Sequence, residues 1–413
     1  MKTENGKMKN TPELRFAGFN DEWKEKKLGE SLEAVNERTS NFELNPLFSL
    51  TIENGVTEKT ERYERSQLVT KEEDLFKIVH QNNFVTNPMN LRFGALGYSK
   101  ESKDISVSGY YDVFAIDQNK CSQFWYAYFK TDNALKKFDD AATGSLIEKR
   151  RVHYSTFQKL VFLTPKFEEK QKIGTMLSKV DSLIELKTKK LESLKSVKKS
   201  LLQKCFPKAG AKVPEMRFAG FSGEWEEKKL GEIADFSKGH GYSKNDLVTK
   251  GYPIILYGRL YTNYETEISF VDTFVSLQDY SVLSKGGEVI VPASGETAED
   301  IARASVVTIE GVVLGGDLNI ISLPKEKFNP TFVALSISNG DSQKELSQNA
   351  QGKTIVHLHN DDLKKVSLFY PSIAEQQKIG EFFSKYDTLI SLQQKEIEKL
   401  RTVKKSLLQK MFV

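Results

Sequence analysis

Apolar residues recur in alternating steps of four and three along two stretches of the chain. One walk runs Ile173, Leu177, Val180, Ile184, Lys187, Leu191, Leu194, Lys198, Leu201 and Cys205; the other runs Ile379, Phe383, Tyr386, Ile390, Gln393, Ile397, Leu400, Lys404, Leu407 and Met411. A mean step of about 3.5 residues is the period of a coiled-coil seam, and the polar interruptions fall at equivalent places in both. Lys187 and Gln393 either fix register or are simply solvent-exposed. Proline is absent from both stretches, while Pro165 and Pro371 stand just before them and Pro207 just after the first. The pattern therefore predicts two bounded helices of about 40 residues, each roughly 60 Å long at about 1.5 Å per residue.

Between these helices the period changes. "DISVSGYYDVFAI", "GEVIVPAS" and "VVTIEGVVLGGDLNIISL" are β-branched runs broken by glycine, as short strands and tight turns are. "QFWYAYFKTDNALKKF" and "NPTFVALSISNG" read as helices. The expected fold class is mixed α/β, with two globular domains of short strands separated by two long antiparallel helices that form a coiled-coil spacer.

Repeats support this plan. "PELRFAGFNDEWKEKKLGE" at Pro12–Glu30 returns as "PEMRFAGFSGEWEEKKLGE" at Pro214–Glu232, identical at 15 of 19 positions. The helical stretch Phe167–Phe206 returns as Ile373–Phe412, identical at 23 of 40 positions and sharing "VKKSLLQK". The order is thus domain, helix, domain, helix, with expected spans 1–165, 166–207, 208–371 and 372–413. Only the linker "PKAGAKV" follows the first helix. The second domain is therefore expected at that helix's far end, and the second helix returns antiparallel as a pseudo-two-fold tandem repeat. Between the repeated markers the two halves diverge.

Composition narrows the class without naming a chemistry. The chain has 413 residues, 39% of them hydrophobic, which suits two or three globular domains. A polar N-terminus and the lack of any apolar run of about 18 residues point to a cytoplasmic chain that neither is secreted nor spans a membrane. Cys121 and Cys205 are too few for a disulfide framework or a four-ligand zinc site. A net charge of +4 is too small to establish nucleic-acid binding by itself.

No catalytic constellation is complete. "SQNAQGKT" resembles the end of a P-loop, but Ser347 stands where its first glycine belongs. "VHLHN" places His357 and His359 on one strand face without the further ligands of a metal site. "NPMN" at Asn87–Asn90 departs from the Asn-Pro-Pro-aromatic loop of adenine methyltransferases at its last two positions, and "RFGALGY" is too glycine-poor for a dinucleotide fingerprint. The halves do interleave basic residues with aromatics, amides and glycine: "NPMNLRFGALGYSK" and "EKRRVHYSTFQK" in the first, "SKGHGYSKND" and "LYGRLYTNY" in the second. Arginine suits guanine edges and phosphates, asparagine suits adenine, and glycine lets backbone approach a duplex. The candidate DNA contacts are Asn90, Arg92, Arg150, Arg151 and Tyr154, then Lys238, His240, Tyr257, Arg259, Tyr261, Asn263 and Tyr264. Arg259 and Asn263 are the strongest candidates for reading bases. The first long helix carries eleven lysines, counting Lys166, against five acidic residues, which would lie over phosphates or form a solvated face.

The layout resembles the DNA-specificity subunit of type I restriction-modification systems. The resemblance rests on the two copies of the "RFAGF" segment, on "LTPKFEEKQKIG" and "YPSIAEQQKIG" at the helix entries, and on the repeated "VKKSLLQK". Pro371, Glu375, Gln376 and Ile379 meet the Pro-x-x-x-Glu-Gln-x-x-Ile pattern in full; in the first copy Lys170 replaces the glutamine. The resemblance implies a non-catalytic chain with two target-recognition domains, each reading half of a bipartite double-stranded DNA sequence, and no cofactor of its own. It implies two methyltransferase subunits and restriction (motor-endonuclease) subunits as partners, which would carry S-adenosylmethionine, ATP and Mg. Helix phase puts Leu186, Val197, Leu392 and Val403 away from the seam, as candidate partner contacts or as residues buried against the chain's own domains. The rival readings are an enzyme that fuses recognition with methylation, which would need methyltransferase motifs, and a coiled-coil adaptor without a DNA role.

Overall fold

The computed structural model describes residues 10–58, 75–146, 149–208, 210–349 and 356–413. Among its helices, those that frame the long spacer and the candidate surfaces are α1 (Ser122–Phe129), α2 (Asp132–Ala141), α3 (Phe167–Cys205), α4 (Arg259–Thr262), α5 (Pro330–Ile337) and α6 (Ile373–Met411). The chain divides into two compact units, residues 1–187 with 396–413, and residues 188–395. Each unit therefore contains part of both long helices. Among the described residues no helix is long and apolar enough to cross a membrane.

Both helices follow the seam. Every position of the two apolar walks is buried or half-buried, including the polar ones. In the first unit Asp181 meets Lys404 at 2.5 Å and Lys187 meets Glu396 at 2.7 Å, so the two helical segments run antiparallel. Lys198 and Asp387 form the corresponding pair within the second unit. The seam lysines thus hold cross-helix carboxylates while their stems cover apolar neighbours.

In the first unit Leu32–Ala34, Asp112–Ile116, Phe84–Thr86 and Leu96–Tyr98 form an antiparallel sheet in that order, and Arg38–Thr39, Phe76–Val79 and Ile105–Val107 form a second. α1 lays Phe124, Trp125, Tyr128 and Phe129 into a core shared with Trp23, Phe162, Ile173, Leu177 and Phe412. The second unit is built differently, on two five-stranded sheets. In these, Tyr252–Ile255 pairs parallel with Glu310–Leu314 and Glu267–Ile268 pairs parallel with Ser305–Val307. Its core gathers α5 with Trp225, Phe206, Ile379 and Phe383.

The repeated segments recur because they make the same contacts twice. Lys24–Lys27 pairs with Val161–Thr164, and Glu226–Lys229 pairs with Ser367–Tyr370. Arg15 forks onto Glu169 at 2.9 and 2.7 Å and donates to the Asp21 carbonyl; Arg217 forks onto Glu375 at 2.9 and 2.6 Å and donates to the Gly223 carbonyl. Trp23 and Trp225 are both buried. Leu14 N–H donates to the Lys410 carbonyl and Met216 N–H to the Lys204 carbonyl, each 2.9 Å, closing the last turn of a long helix whose carbonyls have no intrahelical partner. "VKKSLLQK" is therefore the helix end that each "RFAGF" segment closes.

Candidate nucleic-acid interface

In the first unit the loop before the strand Leu96–Tyr98 and the segment before Tyr154 meet at the end of α2. Arg92 Nη1 donates to Asp139 Oδ1 at 3.0 Å, and Arg150 Nη1 lies 4.0 Å from the same oxygen. Arg150 also donates to the Ala142 carbonyl at 3.1 and 2.8 Å and to the Asp139 carbonyl at 2.9 Å, which already accepts from Ala142 N–H, so its cation sits at the C-terminal end of α2. Val152 N–H donates to the Pro88 carbonyl at 2.9 Å and ties the two segments together. Asn90, Lys149 and Arg151 remain exposed on this patch. Tyr154 turns inward instead: its ring centroid is 5.8 Å from that of Phe114 and its hydroxyl is buried, and burial, with the nearby Asp112 charge, pushes the phenol up to about 12.

Sequence reasoning passed over three members of this patch. Phe93 is 53% exposed, with the Arg92 guanidinium 4.3 Å over its ring. Asp139 organises both arginines. Lys130 Nζ donates to the Gly94 carbonyl at 2.5 Å and to the Ile52 carbonyl at 2.9 Å, pinning the loop from below. Phe93 lay within the quoted "NLRFG" and was legible as an aromatic beside arginine; Asp139 and Lys130 are distant in sequence and left no local signal.

In the second unit α4 and its flanks gather Tyr257, Arg259, Tyr261, Asn263 and Tyr264. Arg259, whose side chain is 12% exposed, donates to Glu265 at 2.8 Å, to Asp272 at 3.2 Å and to the Phe270 carbonyl at 3.0 Å. Its fork holds the 265–272 loop. The Tyr261 hydroxyl donates to the Ser294 carbonyl, and the half-buried Tyr264 donates to the Ala304 carbonyl at 3.2 Å, with burial raising its phenol. Tyr257 and Asn263 are exposed.

Lys238, the last residue of the strand Asp235–Lys238, and His240 in the loop that follows it are exposed, with the His240 ring 5.2 Å from Tyr280. That loop is fixed by a glycine crossing: Gly239 N–H donates to the Leu318 carbonyl, Gly316 N–H to the Gly241 carbonyl, and a Cβ at Gly239 would collide with the Gly315 carbonyl. Gly241 adopts φ +58°, which glycine reaches without strain.

Among the described residues no group of three His, Cys, Asp or Glu side chains is placed to hold a metal ion. Cys121 and Cys205 are buried, and burial raises both thiols. The rings of His357 and His359 lie parallel at 6.4 Å, with Ser294 Oγ 3.4 Å from His357 Nδ1. Gly352, Lys353 and Thr354 of the P-loop-like stretch lie outside the described residues.

On the long helices Leu186 is 65% exposed and Leu392 58%, and Val197 and Val403 are exposed to the same extent as each other. Leu183 and Leu389, at repeat-equivalent positions, are exposed as well. Leu183, Leu186 and Val403 belong to the first unit; Leu389, Leu392 and Val197 belong to the second.

Comparisons with known proteins place this architecture. Residues 20–196 and 222–402 each match the family described as Type I restriction modification DNA specificity domain. The chain is 21% identical over 303 residues to the type I restriction enzyme MjaVIII specificity subunit of Methanocaldococcus jannaschii, covering 70% of each chain. It is 25% identical over 310 residues to the MjaIX specificity subunit of the same organism, covering 70% of this chain and 68% of that one. Its fold resembles the crystal structure of the type I restriction-modification S subunit from M. genitalium, with a TM-score of 0.60 and 15% identity over 98% of this chain and 99% of that one. A second similar chain comes from a structure on complex assembly and conformational transition of the type I restriction-modification system, with a TM-score of 0.51 and 14% identity over 95% and 98%. With two copies of the domain spanning most of its length, the chain belongs to the family of type I restriction-modification DNA specificity subunits.

Proposed function

We propose that each unit reads one half of a bipartite double-stranded DNA target, and that the chain carries no catalysis but positions two methyltransferase subunits and the motor-endonuclease subunits on that target. One observation carries this reading: the repeated frame makes the same contacts twice, while the domains it holds differ in sheet topology and in exposed side chains. A frame built twice that carries two different surfaces suits two different half-sites. In this reading Asn90, Arg151, Tyr257, Asn263, Lys238 and His240 meet DNA directly. Arg92, Arg150, Arg259, Tyr261 and Tyr264 hold those groups in place, and Tyr154 supports them from the core. S-adenosylmethionine, ATP and Mg would be bound by the partner subunits. Leu183, Leu186 and Val403 in one unit, and Leu389, Leu392 and Val197 in the other, are apolar side chains on otherwise charged helices and suit methyltransferase helices.

The test is single-molecule sequencing of genomic DNA from cells expressing this chain with its cognate methyltransferase, against the methyltransferase alone. A split adenine-methylated motif that appears only with this chain is the expected result, and replacing residues 31–153 by those of a relative should change one half of it. The same motif without this chain, or none beside an active methyltransferase, would overturn the reading.

A further inference from the structure

The 87–95 loop of the first unit is held more tightly than an ordinary surface loop, and it presents an aromatic ring to solvent. Asn87 Oδ1 accepts from Met89 N–H at 3.1 Å, and Asn90 N–H donates to the Asn87 carbonyl at 3.0 Å. Phe93 N–H donates to the Asn90 carbonyl at 3.0 Å, Gly94 N–H to the Leu91 carbonyl at 2.8 Å, and Ala95 N–H to the Asn90 carbonyl at 3.1 Å. Gly94 turns the chain at φ +87° while Lys130 grips its carbonyl. A single exposed phenylalanine is unremarkable on a protein surface. This one differs because its backbone is fixed on every side and its ring is backed by Arg92.

The surroundings choose the occupant. Arg92 and Arg150 converge on Asp139, and Lys149 and Arg151, which flank Arg150, are both exposed. Among the described residues of this patch, Arg92, Lys149, Arg150 and Arg151 outnumber the acids Asp139 and Asp140. Phe270 in the second unit is more exposed, at 70%, but the cation bonded to its carbonyl, Arg259, is itself held by the two carboxylates of Glu265 and Asp272, which leaves an acidic excess there. Exposure alone would pick Phe270; charge picks Phe93.

We infer that Phe93 is an apolar wedge that enters the DNA groove and pushes into a base step of the half-site read by the first unit, with Arg92 stiffening the ring and the exposed Lys149 and Arg151 neutralising the adjacent phosphates. Apolar side chains inserted at a base step unstack it and bend the duplex, which lets sequence-dependent deformability contribute to specificity. The inference rests on the DNA-reading function proposed above.

The experiment uses this chain assembled with its methyltransferase and duplexes carrying the methylated motif, each with one mismatched pair placed in turn along the half-site of the first unit. A wedge must unstack a step, so the wild-type complex should bind one mismatched duplex more tightly than the intact one. Phe93→Ala should bind the intact duplex about tenfold or more weakly and lose that preference, because base–aromatic contacts are typically worth about one decade or more. Phe93→Leu, which keeps an apolar wedge, should retain much of both. The inference is overturned if Phe93→Ala binds like wild type, if it weakens binding yet keeps the mismatch preference, or if it loses the methyltransferase instead. A wild-type complex that fails to distinguish the motif from unrelated duplex would overturn the DNA-reading function, and the wedge with it.

Discussion

Replacing Lys170 by glutamine makes the first copy of the helix entry match the second, and it should destabilise the protein. Lys170 Nζ meets Asp117 Oδ2 at 2.7 Å, with side chains 7% and 15% exposed. Asp117 also accepts from Trp125 Nε1 at 2.8 Å and from the more exposed Lys26 at 3.2 Å. At the equivalent position Gln376 donates to the Pro371 and Lys327 carbonyls at 2.9 and 3.2 Å and accepts from Asn329 N–H at 3.0 Å, with no carboxylate to neutralise. Removing one partner of a buried pair costs about 3–5 kcal/mol because the other charge is left buried. Trp125 and Lys26 still face Asp117, so Lys170→Gln should cost about 2–4 kcal/mol. Adding Asp117→Asn removes the orphaned charge and should bring the double variant back to within about 1 kcal/mol of wild type.

The same pair sets an acid response. Burial pushes the Asp117 carboxyl up, but the Lys170 ammonium and the Trp125 N–H, with Lys26, outweigh it and hold the group at about 2, below its ordinary 3.8. A carboxylate whose folded value is depressed contributes stability that is present above the unfolded value and is lost as pH falls through the folded one. The window here is pH 4 to 2 and the contribution is about 2–3 kcal/mol. Urea titration followed by tryptophan fluorescence measures both effects, since Trp125 contacts the pair. The reasoning fails if Lys170→Gln costs less than about 1 kcal/mol, if the two substitutions simply add, or if Asp117→Asn leaves the loss between pH 4 and 2 unchanged.

Two further outcomes follow from the frame. A Cβ at Gly174 would sit 2.6 Å from Phe124 N and 3.1 Å from its Cα, backbone that cannot step aside. Gly174→Ala should therefore lower stability by about 1–2 kcal/mol in thermal melts, despite the helix propensity gained, and a neutral result would refute the close packing of α3 on α1. Glutamate at Leu186 and Val403, both exposed, should leave the melt within about 0.5 kcal/mol of wild type yet abolish co-purification with the methyltransferase; retained co-purification would remove these residues from the partner surface.

The frame was legible in the sequence because its signals are local. A heptad period needs only neighbours on one helix, and the repeat of "RFAGF" and "VKKSLLQK" is visible without knowing that Leu14 and Lys410 touch. The sheets were not legible to the same degree. Short strands such as Arg38–Thr39 and Glu267–Ile268 have too few residues to show a period, and their order depends on pairings between distant segments. The candidate surface was legible by residue type and not by orientation. Arg259 and Arg92 were selected as arginines among aromatics, but whether a guanidinium faces solvent depends on acids remote in the fold or on the far side of a turn: Asp139 for Arg92, Glu265 and Asp272 for Arg259. Tyr154 failed by the same route, since a tyrosine in a basic stretch serves the core or the surface equally well until Phe114 is placed beside it.

Lys170 shows how the repeated frame accommodates unlike domains. The two helix entries share Glu169 and Glu375, each gripped by an arginine of its own "RFAGF" segment, so that bond stays inside the repeated sequence and is identical in both units. The next residue looks outward, toward the domain. In the first unit that domain offers the Asp117 carboxylate, and a lysine answers it; in the second it offers backbone carbonyls and the N–H of Asn329, and a glutamine answers those. At this position the substitution within the frame follows what the frame carries. A domain exchanged between units without residue 170 or 376 would bring either a buried carboxylate against an amide or a buried ammonium against carbonyls alone, and should fold less stably than one exchanged with it.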